Sequence, residues 1–383
     1  MFEAIVVGAG PAGSAAATIL ASKKKKVLLL DRVKFPRDKP CGDIISSSAT
    51  MELERLGVWS KVSDVCPRPI HSVLLISPNG SSIELKLSLG PQNRNFAAPR
   101  AILDNLLREY AIESGAEFRV LQVIMPIIER GRVNGVVVRS DNGLLELRAP
   151  ITIAADGASS ILATNLFGKN HFLQQKGIAL RGYLETQNTL DFKLLIYFFR
   201  DLMPGYAWMV PINNKLANIG VGTTVNQYRR VGYPLKTFLS EFLEILCTRF
   251  NLRPKGEFEH LASWFVNLGP NNISRSYSGI LFVGDAGSFV NPATAEGIAN
   301  AIMTGRVGAE IAYSALSAGE QRDEVLSQFD RKWETALLGQ LQRAAIVKNL
   351  LLSRPGFMNW LFGIFSKQTH IAENTIRWIT KFI

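Results

Sequence analysis

Residues 4–31 read AIVVGAGPAGSAAATILASKKKKVLLLD. The four apolar residues Ala4 to Val7 have the length and composition of a buried parallel strand. Ala12 to Ala21 are small and apolar, which suits a helix packed close to a sheet. Lys23 to Lys26 form a solvated connection, and Val27 to Leu30 form a second buried strand that Asp31 terminates. Between strand and helix lies Gly8-Ala9-Gly10-Pro11-Ala12-Gly13. Its first glycine permits the tight turn, its second lets the backbone approach a pyrophosphate, and its third lets helix and strand touch. The helix start then offers unpaired N–H groups and a positive dipole end to phosphate oxygens. A carboxylate ending the second strand is placed for a ribose hydroxyl. Gly8, Gly10, Ala12, Gly13, Asp31 and the adjoining Arg32 are therefore the candidate contacts to a dinucleotide.

A second constellation lies far along the chain. Ile280 to Val283 read as a buried strand, followed by Gly284-Asp285-Ala286-Gly287, then Asn291-Pro292 and Glu296-Gly297-Ile298 at the start of a long helix to Leu316. Asp285 is placed to accept hydrogen bonds from a ribityl chain or from water beside a pyrophosphate. The helix start at Gly297 aims its dipole at a flavin pyrimidine, where reduced flavin carries negative charge. Asp285, Pro292, Gly297 and Ile298 join the cofactor set, and the cofactor becomes FAD. A third stretch, Ala154-Ala155-Asp156-Gly157-Ala158-Ser159-Ser160, follows another apolar strand. It reads either as part of that site or as a well-capped strand-to-helix turn.

The expected architecture is α/β. A Rossmann-like FAD-binding domain is assembled from 1–70, 100–170 and 276–340. An inserted antiparallel-sheet substrate domain takes strands from 71–99 and residues 171–275. A helical C-terminal segment spans 341–383. Within this plan Thr50 to Gly57 and Ala101 to Ser114 are helices, Ser72 to Leu89 is a hairpin about Pro78-Asn79-Gly80, and Phe118 to Ser140 are strands broken at Gly131 and Gly135.

The three motifs together resemble the p-hydroxybenzoate-hydroxylase superfamily of flavoproteins. Two more narrow the resemblance: Phe35-Pro36-Arg37-Asp38-Lys39-Pro40-Cys41-Gly42-Asp43, and Gly205-Tyr206-Ala207-Trp208-Met209-Val210-Pro211 followed by Asn218-Ile219-Gly220-Val221-Gly222. Both look like the geranylgeranyl reductase family, with its menaquinone-reductase-like bacterial members. That resemblance implies that Cys41 and Gly42 approach the isoalloxazine, that Tyr206 and Trp208 face substrate, and that Arg100 contacts an FAD phosphate. The chain departs from the family in two places. Asp43-Ile44-Ile45 stand where a second glycine usually follows, and Ala295 precedes Glu296-Gly297 where glycine is common. Gly287 occupies a place where aromatic hydroxylases of the superfamily carry histidine.

The implied activity is reduction of carbon–carbon double bonds in an isoprenoid or other apolar substrate, with hydride from reduced FAD. The alternative is a flavin-dependent monooxygenase, epoxidase or hydroxylase, or a halogenase acting on a natural product. Cys41, Tyr206 and Trp208 are the catalytic candidates. Cys41 reads as a packing thiol or a proton relay, and the two aromatics share a strand face whether they serve substrate or core. No proton donor is assignable. There is no second GxGxxG, so the electron donor is a transient NAD(P)H or a ferredoxin.

Composition bounds the partners. The chain of 383 residues is 47% hydrophobic, with a net charge of +11 and a pI near 9.6. The basic residues are scattered and form no nucleic-acid module, so no nucleic-acid partner is expected. Cys41, Cys66 and Cys247, with His71, His171, His260 and His370, show no metal-ligand spacing, and no metal is expected. No signal peptide precedes the first strand and no apolar run reaches about 18 residues, so a cytoplasmic chain is expected. Residues 341–383 carry Arg343, Lys348, Arg354, Lys367, Arg377 and Lys381 against one acid, Glu373, interleaved with Phe357, Trp360, Phe362, Phe365, Trp378 and Phe382. Two readings stay open there: a peripheral contact at the membrane surface, or a helical cap on the enzyme's own core.

Overall fold

The computed structural model describes residues 1–87, 94–141, 143–319 and 322–365. In chain order it begins with β1 (Ala4–Val7), α1 (Pro11–Ser22), β2 (Val27–Asp31), β3 (Ile44–Ile45), α2 (Ser47–Leu56) and α3 (Trp59–Ser63). A hairpin follows, β4 (Ser72–Ile76) and β5 (Ser82–Lys86), then β6 (Phe96–Ala97) and α4 (Arg100–Glu113). Next come β7 (Glu117–Val120), β8 (Gln122–Glu129), β9 (Arg132–Ser140), β10 (Gly143–Arg148), β11 (Ile151–Ala154) and α5 (Ile161–Phe167). The long strands are β12 (Leu173–Glu185), β13 (Lys193–Tyr197), β14 (Tyr206–Pro211) and β15 (Leu216–Thr224), followed by α6 (Val225–Val231), α7 (Leu235–Phe250) and β16 (Glu259–Pro270). The chain closes with β17 (Ser276–Tyr277), β18 (Ile280–Phe282), α8 (Ile298–Leu316), α9 (Arg322–Trp333), α10 (Gly339–Val347) and α11 (Pro355–Phe365); two π-helical turns, Glu334–Leu338 and Lys348–Leu352, flank α10.

The first sheet has the order β17-β18-β11-β1-β2-β7 and is parallel except for β17. Its strands come from three separated stretches of chain. The central strand β1 pairs Ala4 with Val27 on one side and with Ile151 on the other. Both faces are covered, which is why these strands are continuous apolar runs rather than alternating ones. Val6 and Leu29 pack with α1, α8 and α9, while Ile5 and Leu30 pack with the three-stranded sheet β10-β9-β8 and α5. The close fit of α1 needs Gly13: a Cβ there would lie 1.8 Å from the Gly8 carbonyl oxygen.

The chain does break at Gly131, between β8 and β9, but not at Gly135. That residue lies inside β9 with φ +136, and a Cβ on it would sit 2.1 Å from the Leu147 carbonyl oxygen. The glycine there admits the neighbouring strand rather than ending its own.

The second sheet has the order β16-β12-β15-β14-β13-β4-β5. It is antiparallel apart from one pair. The hairpin β4–β5, from much earlier in the chain, joins the edge by running parallel to β13. Alternate residues of these strands face opposite ways. Leu74, Leu195, Ala207 and Met209 pack under α7 with Phe238, Phe242 and Leu246. Val73, Leu75, Leu194, Ile196, Tyr206 and Trp208 face a large cavity instead. The C-terminal helices roof that cavity: Met358, Phe362 and Phe365 of α11 pack against Ile83, Phe198 and Met203. The other side of α11 exposes Phe357, Trp360 and Ile364. No helix among the described residues is long and apolar enough to cross a membrane. The end of the hairpin near Leu89 and the tail carrying Lys367, Glu373, Arg377, Trp378, Lys381 and Phe382 lie outside the described residues.

Phe242 tests the covered face of the second sheet. It is 0% exposed and packs edge-on to Phe199 at a centroid distance of 6.4 Å. Phe242→Ala is expected to cost about 3–5 kcal/mol in urea-induced unfolding, while the flavin content of the folded fraction stays at the wild-type level.

Candidate active site

A single cavity of about 1830 Å³ runs from the Gly8–Gly13 turn to the C-terminal helices. Sites for one small ligand usually span roughly 300–1,000 Å³, so this space suits a dinucleotide and a second, apolar ligand together. Its two ends differ in chemistry. The end under the first sheet is lined by Gly8, Gly10, Asp31, Arg32, Arg37 and Asp285; the end under the second is lined by Val73, Leu75, Ile83, Ile196, Leu351 and Phe362.

The polar end is built for a diphosphate. Two helices begin at its wall without a side-chain cap. Gly10 precedes α1 and Gly297 precedes α8, and neither has a side chain to accept from the first-turn N–H groups. By contrast Ser46 and Ser160 cap α2 and α5. Uncapped N–H groups at a cavity wall are free for anionic oxygens. Nearby, Ala9 N–H donates to Asp31 Oδ2 at 2.9 Å, so the Asp31 carboxylate orders the glycine turn as well as facing the cavity. Arg37 and Arg100 share one carboxylate. Arg100 Nε and Nη2 donate to the two Asp104 oxygens at 2.7 and 2.8 Å, and Arg37 Nη1 lies 3.1 Å from Asp104 Oδ2. Arg37 Nε also lies 3.9 Å from Asp31 Oδ2, so two cations and two carboxylates interleave along this wall. Lys39 Nζ sits 3.0 Å from Asp285 Oδ2. Burial pushes the Asp285 carboxyl up, but Lys39 and Arg100 outweigh it, so the group stays ionised below the usual range. These residues fit FAD.

Behind the wall where the two ends meet, which carries Cys41, Gly42 and Trp208, lies a buried polar cluster. Asn218 Nδ2 donates to the Cys41 carbonyl at 2.8 Å and to Asp43 Oδ2 at 2.7 Å, and its oxygen accepts from Trp208 Nε1 at 2.9 Å. Tyr183 Oη donates to the same Asp43 oxygen at 2.5 Å. Asp43 Oδ1 has no partner and is fully enclosed. Burial raises the Asp43 carboxyl to about 6, against the pull of Tyr183, Asn218, Arg181 and Arg100. Arg181, itself buried, binds Asp38 and lies 4.5 Å over the Tyr183 ring.

Both departures from the family's glycine pattern fall at left-handed backbone. Asp43 has φ +61 and Ala295 has φ +55. Glycine adopts this region without cost, whereas side chains there are disfavoured. At Asp43 the conformation is held by the two hydrogen bonds to its carboxylate.

Of the sequence-derived candidates all but Gly13 line this cavity; Gly13 sits against the Gly8 carbonyl instead. Cys41, Gly42, Tyr206 and Trp208 line the cavity where its two ends join, with Pro292, Gly297 and Ile298 from the α8 loop. Gly42 comes within packing distance of Trp208: a Cβ on it would be 3.5 Å from Nε1. Tyr206 and Trp208 lie on one face with centroids 6.1 Å apart, and Tyr206 Oη donates to the Thr294 carbonyl at 2.5 Å. Burial pushes the Tyr206 phenol up. The 154–160 stretch fits both readings: Ala155 to Ser159 line the cavity, and Asp156 Oδ2 accepts from Ile161 N–H at 2.8 Å at the start of α5.

Several site residues had no role in the sequence reading. Glu296 lines the cavity and takes a hydrogen bond from the Ser46 hydroxyl. Burial raises its carboxyl. Tyr183, Arg181, Asn218 and Lys39 were also unassigned. Asn218 had one visible signal, an amide within an otherwise apolar strand.

The cradle, the two uncapped helix starts and the enclosed apolar chamber define a FAD-dependent oxidoreductase. The chain belongs to the family described as FAD binding domain, matched over residues 1–332, and within it to the geranylgeranyl reductase group. It is 31% identical to the menaquinone reductase of Mycolicibacterium smegmatis, covering 93% of this chain and 86% of that protein. It is also 31% identical to digeranylgeranylglycerophospholipid reductase 1 of Methanopyrus kandleri, covering 91% of this chain and 90% of that one. Its fold matches a geranylgeranyl bacteriochlorophyll reductase-like protein from Thermoplasma acidophilum with a TM-score of 0.86 at 23% identity, over 96% and 92% of the two chains.

Asp43 gives a pH signature. Its carboxyl is raised from 3.8 to about 6 on folding. Its contribution to stability is therefore complete below pH 3.8 and is lost as pH rises through about 6, at about 3 kcal/mol in all. Asp43→Asn cannot ionise. Its unfolding free energy, minus that of the wild type, should rise by about that amount between pH 4 and pH 7 in parallel urea titrations. A flat difference would contradict the assignment.

Proposed function

We propose that this FAD-dependent oxidoreductase saturates carbon–carbon double bonds of an isoprenoid lipid. The observation that carries the reading is the continuity of the cavity, in which the dinucleotide cradle opens directly into an apolar chamber. The reductase names of its relatives support it. Reduced FAD, when bound, supplies the hydride. The chain's own residues do the rest. Tyr206 and Trp208, their rings inclined at 66°, form an aromatic corner that orients an alkene at the junction, and α11 roofs it. Cys41 flanks the same junction. Glu296 is the carboxyl placed there: the Ser46 hydroxyl donates to one of its oxygens, and burial shifts it up from the usual carboxylate range against that bond. An isolated alkene is not polarised for hydride attack, so an acid at this position matters more than it would for an activated substrate.

Electrons reach the flavin from NAD(P)H or a ferredoxin. Anaerobic flavin bleaching on mixing with each donor distinguishes them. The exposed Phe357, Trp360 and Ile364 on α11 suit a peripheral contact with the lipid surface from which substrate enters. A chain with Phe357→Glu and Trp360→Glu should co-sediment less with anionic liposomes than the wild type.

The decisive experiment is product analysis of anaerobic, dithionite-reduced protein with a panel of polyprenyl lipids. Saturated product without oxygen is expected. Product that appears only with oxygen would replace this reading with a monooxygenase or halogenase. Glu296→Gln is expected to lower the anaerobic rate by about 10²–10⁴-fold with substrate affinity unchanged.

A further inference from the structure

The chemistry above uses the ring of Tyr206 and leaves its hydroxyl without a task. That hydroxyl reaches from β14 to the loop before α8, where it donates to the Thr294 carbonyl at 2.5 Å. The loop runs from Val290 to Gly297 and presents Glu296. Its own bonds close its base: Asn291 N–H donates to the Glu296 carbonyl and Ala295 N–H to the Asn291 carbonyl, both at 2.9 Å. The Asn291 side-chain oxygen accepts from Ala293 and Thr294 N–H at 2.9 and 3.2 Å. Among the described residues, Tyr206 is the group outside the loop that bonds the backbone of its tip. The next residue, Ala295, holds φ +55, a conformation that glycine takes without cost and alanine does not. A bond that fixes the peptide between Thr294 and Ala295 therefore also sets the direction in which the chain leaves the tip. Glu296 is the first residue beyond it. On its other side Glu296 meets Ser46, whose oxygen caps α2 by accepting from Ala49 N–H at 3.3 Å and whose one hydrogen goes to the Glu296 carboxyl.

We infer that the Tyr206 hydroxyl is a positioning group for Glu296: it holds the loop tip through the Thr294 carbonyl, so that the carboxyl stays at the junction while Ser46 fixes one of its oxygens. The inference rests on the reading of Glu296 as the acid of the reaction. It divides two tasks within one side chain, the ring facing the alkene and the hydroxyl placing the acid. The hydroxyl is not itself the acid. Its hydrogen is committed to a carbonyl, and burial, with Cys41 and Glu296 adding to it, pushes the phenol up. It remains a donor across the working pH range, so the tie does not titrate. Acid catalysis depends steeply on where the proton is held, and a tip free to shift by about 1 Å costs turnover rather than binding.

Tyr206→Phe removes the hydroxyl and keeps the ring. With the polyprenyl lipid that wild type saturates fastest, its anaerobic kcat is expected to fall about 10- to 100-fold, with KM within about twofold and flavin content unchanged. Added to Glu296→Gln, the same change should cost nothing further, because the group it positions is gone. A wild-type rate in Tyr206→Phe overturns the inference. So does an equal loss in both backgrounds, which would give the phenol a task of its own. A second measurement needs no lipid. The carboxyl band of Glu296, taken as the infrared difference between each protein and its Glu296→Gln counterpart, is followed through a pH titration. Tyr206→Phe should lower its midpoint toward the usual carboxylate range, because a released tip opens the carboxyl to water. Ser46→Ala should raise it, because a bond to the ionised form is lost. An unmoved midpoint in Tyr206→Phe overturns the inference. If wild type saturates no lipid, or Glu296→Gln matches it, the reading of Glu296 as the acid fails, and the infrared titration still decides whether Tyr206 places that carboxyl.

Discussion

One side chain amide holds the two halves of the active site in register. Asn218 stands on a strand of the second sheet, yet it donates to the Cys41 carbonyl and to Asp43 in a loop that belongs to the first. Its oxygen receives Trp208. Three groups that must be placed together, the flavin-side loop, the aromatic wall and the buried carboxylate, are thus tied to one planar group with fixed donor and acceptor directions. Buried networks of this kind specify a unique arrangement only when nearly every member is satisfied. Here two atoms are not: Asp43 Oδ1 and Arg181 Nε have no hydrogen-bond partner among the described residues. Burial shifts the Asp43 carboxyl up to about 6, toward the neutral form in which a missing partner costs less.

The electrostatics at the other end of the cavity follow the opposite logic. There the chain leaves groups deliberately incomplete for a ligand to finish. Helices α1 and α8 begin without side-chain caps at the wall where Arg37 and Arg100 stand. Each is a cost to the protein alone and a gain once an anionic cofactor is present, because ligand binding to the folded form adds directly to stability. The net charge of +11 is in keeping with a surface field that favours anions.

The legibility of the molecule from its sequence follows the range of the interactions involved. The Gly8–Gly13 turn, the β1 and β2 strands and the Gly284–Gly297 loop are set by local backbone demands, and they read directly. Family resemblance, not spacing, singled out Cys41, Tyr206 and Trp208, and all three line the one cavity. What did not read were partnerships across long separations. Asp43 with Tyr183 and Asn218, Glu296 with Ser46, and Lys39 with Asp285 join residues whose neighbours in sequence give no sign of them. Gly135 was misread for a related reason. A glycine inside a strand pattern signals either a break or the close approach of another backbone, and only the pairing with β10 decides. Likewise the parallel seam between β4 and β13 depends on where an early hairpin docks, which no local pattern encodes.

The second sheet has α7 against one face and the substrate chamber against the other, and its strands alternate between them. Leu74, Leu195 and Met209 hold the fold together, while their immediate neighbours Val73, Leu194 and Trp208 shape the cavity. Folding and selectivity are therefore carried by interleaved but separate sets of positions on the same strands. Drift in one set leaves the other largely untouched. A lineage can lengthen, shorten or bend the chamber by changing every second residue, without surrendering the scaffold that keeps the chamber dry.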